Sequence, residues 1–276
     1  MRLNAYVLAG DPAWATESLR SYYHLIDRVV VSFDRNHQSW AGHPLDVDES
    51  LAALRAADPD GKILVLPGDF SDPGRHILTV ETEQRQASFD AAAESADWVL
   101  QLDTDEVLLA PEVFTAHLVE ADRRGADALA YPLRNFYKQI DSHRFLERCG
   151  RFWTTQSGYP GPLAVRSSVR LSHCRQTDAP TYRVDVRPWN TDPSHPSSAR
   201  VHAVVPPDQA AAHLSWVRTP EQMRTKSVTS GYAPERDWDR DLRNWEWRGR
   251  HPYLAALGAP FARDRFERFR VVHLDL

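Results

Sequence analysis

The sequence predicts an α/β protein, with a Rossmann-like, mixed but mostly parallel central sheet flanked by helices. Three observations carry this. Apolar runs of strand length alternate with stretches of helical spacing up to about residue 135. Successive strand–helix–strand units imply right-handed parallel crossovers. The fourth apolar run, Trp98 to Leu102, breaks abruptly into Asp103, Asp105 and Glu106, which places carboxylates where open α/β sheets bind ligands.

In chain order, Leu3 to Leu8 reads as a first strand, ended by Gly10-Asp11-Pro12. Trp14, Leu19, Tyr22, Tyr23, Leu25 and Ile26 share a broad helical face, with Asp11 or Thr16 as the expected cap. Val29 to Phe33 is a second buried strand with Asp34 at its end; Glu49 to Ala57 is helical and Ile63 to Pro67 a third strand. Thr79 to Ser95 is a helix carrying Glu81, Arg85 and Ser88 on one side. Pro111 to Arg123 is a helix with proline in its first turn and Gly125 at its C-terminal end, followed by a strand over Ala128 to Leu133. After Asn135 the alternation fades into short aromatic, Arg and Pro pieces, with strands expected over Val165 to Leu171 and Tyr182 to Val186. His213 lies on a short strand, and Thr219-Pro220-Glu221 opens a helix, Thr as cap and Pro in the first position. In the tail, Leu242, Trp245, Leu254 and Leu257 suggest helix packing back on the body, and Arg263 to Arg270 a solvated helix face.

The bulk properties narrow the function. With 276 residues, 42% of them hydrophobic, the chain can bury one substantial core. We expect one domain over residues 1–276, with 1–135 and 136–276 as its halves. A net charge of -5 argues against a nucleic-acid binder. No apolar run of the ~18 residues a transmembrane helix needs occurs. The first residues, Met1 to Leu8, become polar too early for a signal peptide. Cys149 and Cys174 are expected as free thiols in a reducing, cytoplasmic setting. The first strand is not followed by Gly-x-Gly-x-x-Gly, which disfavours a dinucleotide site of the NAD type.

Asp103-Thr104-Asp105 is the stretch that carries chemistry. Read alone it is a turn after a buried strand, since Asp is common in turns. Its place at the end of an apolar run favours a site for Mg²⁺ or Mn²⁺ bridging protein to phosphate oxygens. Ala96 to Glu106 resembles the DxD segment of GT-A glycosyltransferases, particularly family-two-like bacterial enzymes. That resemblance implies a GT-A fold, in which a nucleoside-diphosphate sugar is held through a divalent cation. It also implies a halving of the chain: residues 1–135 bind the nucleotide sugar and 136–276 bind the acceptor. Asp34 matches the acidic residue that contacts base or ribose in such enzymes, and Arg85 the basic residue on the helix before the motif. Two structural readings stand beside these: a turn-forming Asp34, and an i,i+4 pair between Arg85 and Glu81.

Ala212 to Lys226 resembles a later segment of several DxD glycosyltransferases, including the β-1,4-mannosyl-glycoprotein N-acetylglucosaminyltransferase-like group. There a histidine completes the metal shell or touches the diphosphate. The resemblance implies Asp103, Asp105 and His213 as metal residues, with Asp103 also holding the ribose or a metal-bound water. Two carboxylates from one strand cannot surround a cation, and an imidazole from elsewhere would add a ligand. Lys226 or Arg224 would offset charge on the departing diphosphate, and Glu106 would orient the loop. The expected activity is transfer of a sugar from a nucleoside diphosphate to a hydroxyl acceptor, with Mn²⁺ or Mg²⁺. Asp178 and Asp185 are candidates for a general base, and nothing in their spacing selects either. Two other readings remain. One is an inactive nucleotide- or sugar-binding protein of the same fold. The other is a metal-dependent phosphohydrolase, which wants its Asp-x-Asp after the first strand.

Overall fold

The computed structural model describes residues 1–187, 200–230 and 236–276. The first half builds β1 (Leu3–Leu8), α1 (Ala15–Tyr22), β2 (Arg28–Asp34), α2 (Val47–Arg55), β3 (Ile63–Gly68), α3 (Ile77–Ala93) and β4 (Trp98–Gln101). It continues with β5 (Glu106–Leu108), α4 (Pro111–Arg123) and β6 (Ala128–Ala130). Then come β7 (Leu133–Gln139), β8 (Arg144–Arg148), β9 (Ala164–Arg166), β10 (Thr181–Asp185), β11 (Ala203–Val204) and β12 (Ala211–His213). Helices α5 (Pro220–Thr229), α6 (Trp238–Arg250) and α7 (Pro252–Leu257) precede β13 (Phe269–His273).

Among the described residues, the central sheet has the order β11-β10-β6-β9-β4-β1-β2-β3. Its pairings are parallel except for β9, which runs antiparallel to both β4 and β6. The fold is thus α/β with a mostly parallel sheet flanked by helices. Strands β1, β2 and β4 are apolar almost throughout and buried, as strands covered on both faces must be. Leu19, Val29, Val31, Leu100, Phe114 and Leu129 lie in one core and Tyr6, Val30, Phe89 and Val99 in another. No helix among the described residues is long and apolar enough to cross a membrane.

A second sheet, β13-β8-β7-β12-β5, stands against the first. Its registers matter most for the site. In β12, His213 pairs antiparallel with Glu106 of β5 and parallel with Asn135 of β7. The histidine is thereby set one residue from Asp105, whose carbonyl accepts the Leu214 N–H at 2.8 Å.

Several expectations need correction. Neither Asp11 nor Thr16 caps α1: Asp11 Oδ1 accepts the Ala13 N–H at 3.1 Å, and the Thr16 hydroxyl donates to the Ala53 carbonyl at 3.0 Å, tying α1 to α2. The run Ala128 to Leu133 is not one strand, because the chain leaves the first sheet after Ala130 and enters the second at Leu133. The expected strand over Val165 to Leu171 ends at Arg166, whose guanidinium turns to Asp122 and Asp127. Arg263 to Arg270 holds a single 3-10 turn and the start of β13, where Phe269 is buried against β8. In the tail Trp245 is buried, whereas Leu254 and Leu257 face solvent. Cys149 and Cys174 are both free.

Gln101, the last residue of β4, is fully buried and ties the segment before β9 to the loop after it. Its Oε1 accepts from Tyr6, and its Nε2 donates to the carbonyls of Pro162 and Arg175, at 2.7 and 2.9 Å. Gly161 lets the two segments approach: a Cβ there would stand 2.7 Å from the Arg175 carbonyl oxygen and 2.6 Å from its Cγ. Gly161→Ala should therefore cost about 1–3 kcal/mol, the usual range for overpacking. Gly258→Ala, whose methyl meets its nearest neighbour at 3.5 Å, should stay within about 0.5 kcal/mol of the parent. Urea unfolding of the two variants checks both values, and equal stabilities would refute the close packing.

Candidate functional site

The chain leaves the central sheet after Gln101 and re-enters structure at Glu106, so Leu102 to Asp105 form a tight turn. Glu106 holds it. This fully buried carboxylate accepts the Asp103 N–H at 3.1 Å and both arms of the Arg175 guanidinium, one of them at 2.7 Å. Arg175 Nη1 also donates to the Gln101 carbonyl at 3.1 Å. The turn is pinned at its start and its end by one guanidinium–carboxylate pair, a fork-to-fork geometry that only Arg supplies.

The two aspartates of the motif then diverge. Asp103 accepts from Arg85 Nη1 at 2.9 Å, with Arg175 at 3.8 Å. Arg85 also gives its Nε to Glu81 at 2.8 Å, so the i,i+4 pair and the contact with the motif coexist. Asp105 turns the other way. Its Oδ2 accepts from Arg218 at 2.9 Å and faces Lys226 Nζ at 3.4 Å, and its Oδ1 lies 3.6 Å from His213 Nε2. Arg218 is forked, holding Asp11 at 2.7 Å as well. Burial disfavours the Asp105 carboxylate, but the charges of Lys226, His213 and Arg218 outweigh it and hold its pKa well below the ordinary range. For Asp103 burial is likewise outweighed, by Arg85 and Arg175.

One cavity of about 440 Å³ collects these groups, and Asp34, Arg85, Asp103, Asp105, His213 and Lys226 all line it. Trp40, Trp216 and Trp238 give it aromatic walls, and the ends of β1 and β2 give it a floor. Asp34 contributes shape: its carboxylate accepts backbone N–H groups of Asn36, Gln38 and Phe70 at 3.0, 3.3 and 2.8 Å. This is the turn-forming use of an aspartate. Asp178 and Asp185 do not join the cavity lining. Asp178 is exposed; Asp185 is buried, with Arg183 at 3.0 Å and the Val186 N–H at 2.8 Å. Arg224 sits on the open side of α5 beside Glu221.

The donor set at Asp105 suits a divalent cation. His213 Nδ1 lies 2.9 Å from Asn135 Oδ1. An imidazole nitrogen facing an amide oxygen carries a proton there, which leaves Nε2 facing Asp105 Oδ1. That nitrogen and the carboxylate oxygen are reconciled either by a second proton, which makes the ring one of the cations that hold Asp105 ionised, or by a metal ion between them. Asp103 is not gathered with them, because Arg85 draws its carboxylate aside. Among the described residues, the group of three ligand atoms gathered within 4.8 Å is His143, His273 and Asp275, all on the surface.

Sequence reasoning passed over Arg175 and Arg218. Arg218 left a signal, a cation set between the apolar Trp216-Val217 and a helix cap. Arg175 left none, since nothing in Cys174-Arg175-Gln176 points to a carboxylate 69 residues earlier in the chain.

No protein-family model matches the chain, and no curated protein matches it. Distantly similar solved structures include 4-diphosphocytidyl-2C-methyl-D-erythritol synthase from Anaerococcus prevotii, at 13% identity and TM-score 0.34 over 60% of this chain and 71% of that one. Mannose-6-phosphate isomerase from Helicobacter pylori stands at 9% and 0.33 over 60% and 71%. A CMP:2-keto-3-deoxy-manno-octonic acid synthetase complexed with CTP stands at 12% and 0.31 over 60% and 75%. Likenesses this distant carry no argument about function.

The depressed aspartates give stability a definite pH dependence. A carboxylate whose folded pKa lies below its unfolded one contributes stability that is complete above the unfolded value of about 3.9. That stability is lost as pH falls through the folded value. Urea midpoints should therefore drop below about pH 4. An Asp105→Asn variant should be less stable than the parent at neutral pH and lose less on acidification. An unchanged acid slope in the variant would refute the assignment.

Proposed function

We propose that the protein is a metal-dependent glycosyltransferase of GT-A type, moving a sugar from a nucleoside diphosphate to a hydroxyl acceptor. The observation that carries this reading is the Asp105–His213 pair at 3.6 Å, on the C-terminal rim of the sheet and beside Lys226. Asp105 and His213 would hold Mn²⁺ or Mg²⁺. The bound cation would offset charge on the leaving diphosphate. Arg85 holds the Asp103 carboxylate at the cavity wall, where it can accept from a ribose hydroxyl or a metal-bound water. Asn135 fixes the His213 ring, and Glu106 with Arg175 fixes the turn that carries both aspartates. Lys226 supplies positive charge where the diphosphate departs. Asp34 shapes the loop on the base side. On this reading residues 1–135 serve the donor and 136–276 the acceptor, as halves of one domain.

The test is a thermal-shift panel of UDP-, GDP- and dTDP-sugars with and without Mn²⁺, followed by donor hydrolysis. One nucleotide sugar should stabilise the protein only with the metal present. At about 100 times its dissociation constant it should add about 2.7 kcal/mol. Asp105→Ala should abolish both the metal-dependent shift and the release of nucleoside diphosphate. Binding without release, by protein and variant alike, would identify a binding protein instead. Stabilisation by no nucleotide under any condition would remove the reading.

A further inference from the structure

The basic residues around Asp103 and Asp105 are each matched to a carboxylate: Arg85, Arg175, Arg218 and Lys226 all have one within 3.4 Å. Arg148, at the end of β8, is different. It lines the same cavity beside Trp216, Arg236 and Trp238. Its Nε is closed off from solvent and has no hydrogen-bond partner. Among the described residues no carboxylate lies within ion-pair distance of its guanidinium; Asp241, which favours its charge from farther off, is bound by Arg236. It is surrounded by the rings of Tyr137, Trp216 and Phe266, at 5.8, 5.7 and 5.5 Å. The nearby cations do not help it, and each is already satisfied: Arg236 by Asp241 at 2.7 Å and Arg248 by Glu267 at 3.2 Å. Burial first, and the charges of Arg236 and Arg248 with it, work against its cationic form and draw its pKa down to about 10. It is nonetheless charged at neutral pH; the residue is half-buried and lines the cavity without an ion-pair partner of its own, so its charge is only partly hydrated. A positive group left unmatched in a cavity wall is matched by what enters the cavity.

Beside it the aromatic rings form a platform. Tyr137 stacks on Trp216 at 5.3 Å, and Trp216 on Trp238 at 5.8 Å, the planes within 20° in both pairs. Arg236 lies over Trp216 and Trp238, 4.7 and 5.2 Å from their centroids, so a sugar ring would pack on the part of the stack that Arg236 leaves uncovered. We propose that Arg148 is a binding site for an anionic oxygen group, a carboxylate or phosphate, borne by a sugar that packs on Trp216 and Trp238. That the group belongs to a transferase substrate rests on the reading above; the anion site itself does not.

The probes are inorganic phosphate, methyl glucuronide and methyl glucoside, titrated by calorimetry at constant ionic strength. Wild type and Arg123→Met, a surface variant outside the cavity, should bind phosphate or the glucuronide alike, the latter at least tenfold more tightly than the glucoside. Arg148→Met should lose at least tenfold of that affinity, and Arg148→Lys should recover part of it. Phosphate without glucuronide would mark a phosphorylated sugar, and glucuronide without phosphate a sugar acid; either supports the site. Equal affinities in wild type and Arg148→Met overturn it, as does binding lost in Lys226→Met but kept in Arg148→Met. Should Arg148→Met not fold, phosphate or the glucuronide added to wild type should shift the indole signals of Trp216 and Trp238, and unmoved signals overturn the site. A metal-dependent nucleotide shift alongside Arg148-independent anion binding sinks the anion site alone. Arg148-dependent anion binding without any nucleotide shift sinks the transfer reading alone.

Discussion

The buried ion pair between Glu106 and Arg175 is the constraint on which the site depends. A parallel strand that stops at a sheet rim leaves backbone groups to satisfy, and here the turn from Leu102 to Asp105 must also present two carboxylates in opposite directions. Glu106 takes the Asp103 N–H and Arg175 takes the Gln101 carbonyl, so the pair closes the turn from both sides. Both partners are buried, and removing one of such a pair leaves an uncompensated charge at a cost of about 3–5 kcal/mol. The same interaction fixes Arg175 in the loop after β9, where Gln101 bonds its carbonyl and Gly161 packs closely against it. One pair thus fixes the shape of the motif and the lower wall of the cavity.

Register does the rest of the positioning. β12 is only Ala211 to His213, yet it lies between β5 and β7. A slip of one residue would turn His213 to the other face of the sheet and point Ala212 at Asp105. The buried Ala212 and Leu214 on that other face pack in the apolar cluster with Val107 and Phe136, which forbids the slip. The hydrophobic pattern of a short strand therefore specifies where the imidazole sits, and Asn135 then specifies which nitrogen faces the carboxylate.

Local patterns made much of this legible. The strands from Leu3 to Gln101 have apolar runs, the helix Pro111–Arg123 carries its proline start, and Thr219 with Gln222 forms a reciprocal cap, so each announces itself over a few residues. Asp34, Arg85, Asp103, Asp105, His213 and Lys226 share one cavity because each follows such a signal. What stayed hidden depends on contacts distant in sequence. Arg175 and Arg218 are set by carboxylates far earlier in the chain, and no period encodes that. The second sheet was obscured because its strands are short and its partners non-consecutive, so Ala128 to Leu133 read as one run. β13 read as a charged helix face because Arg268 and Arg270 flank the buried Phe269, and only pairing with β8 shows that the segment is a strand.

The two cations on Asp105 are not equivalent, and the difference bears on how a carboxylate can be both neutralised and usable. Arg218 is almost wholly buried and forked between Asp11 and Asp105, with further bonds to the carbonyls of Leu214 and Val217. Moving it would break four contacts at once, so it is part of the frame that joins the end of β1 to the late segment. Lys226 reaches Asp105 by a single contact at 3.4 Å from a helix whose exposed surface is large. An ammonium on a flexible stem gives up one long contact cheaply and re-forms it to another oxygen. On the proposed reading, arrival of a cation and a diphosphate at Asp105 would ask only Lys226 to move, from carboxylate to phosphate. Arg218 occupies Asp105 Oδ2, so Oδ1, the atom facing His213, would be the one left to bind.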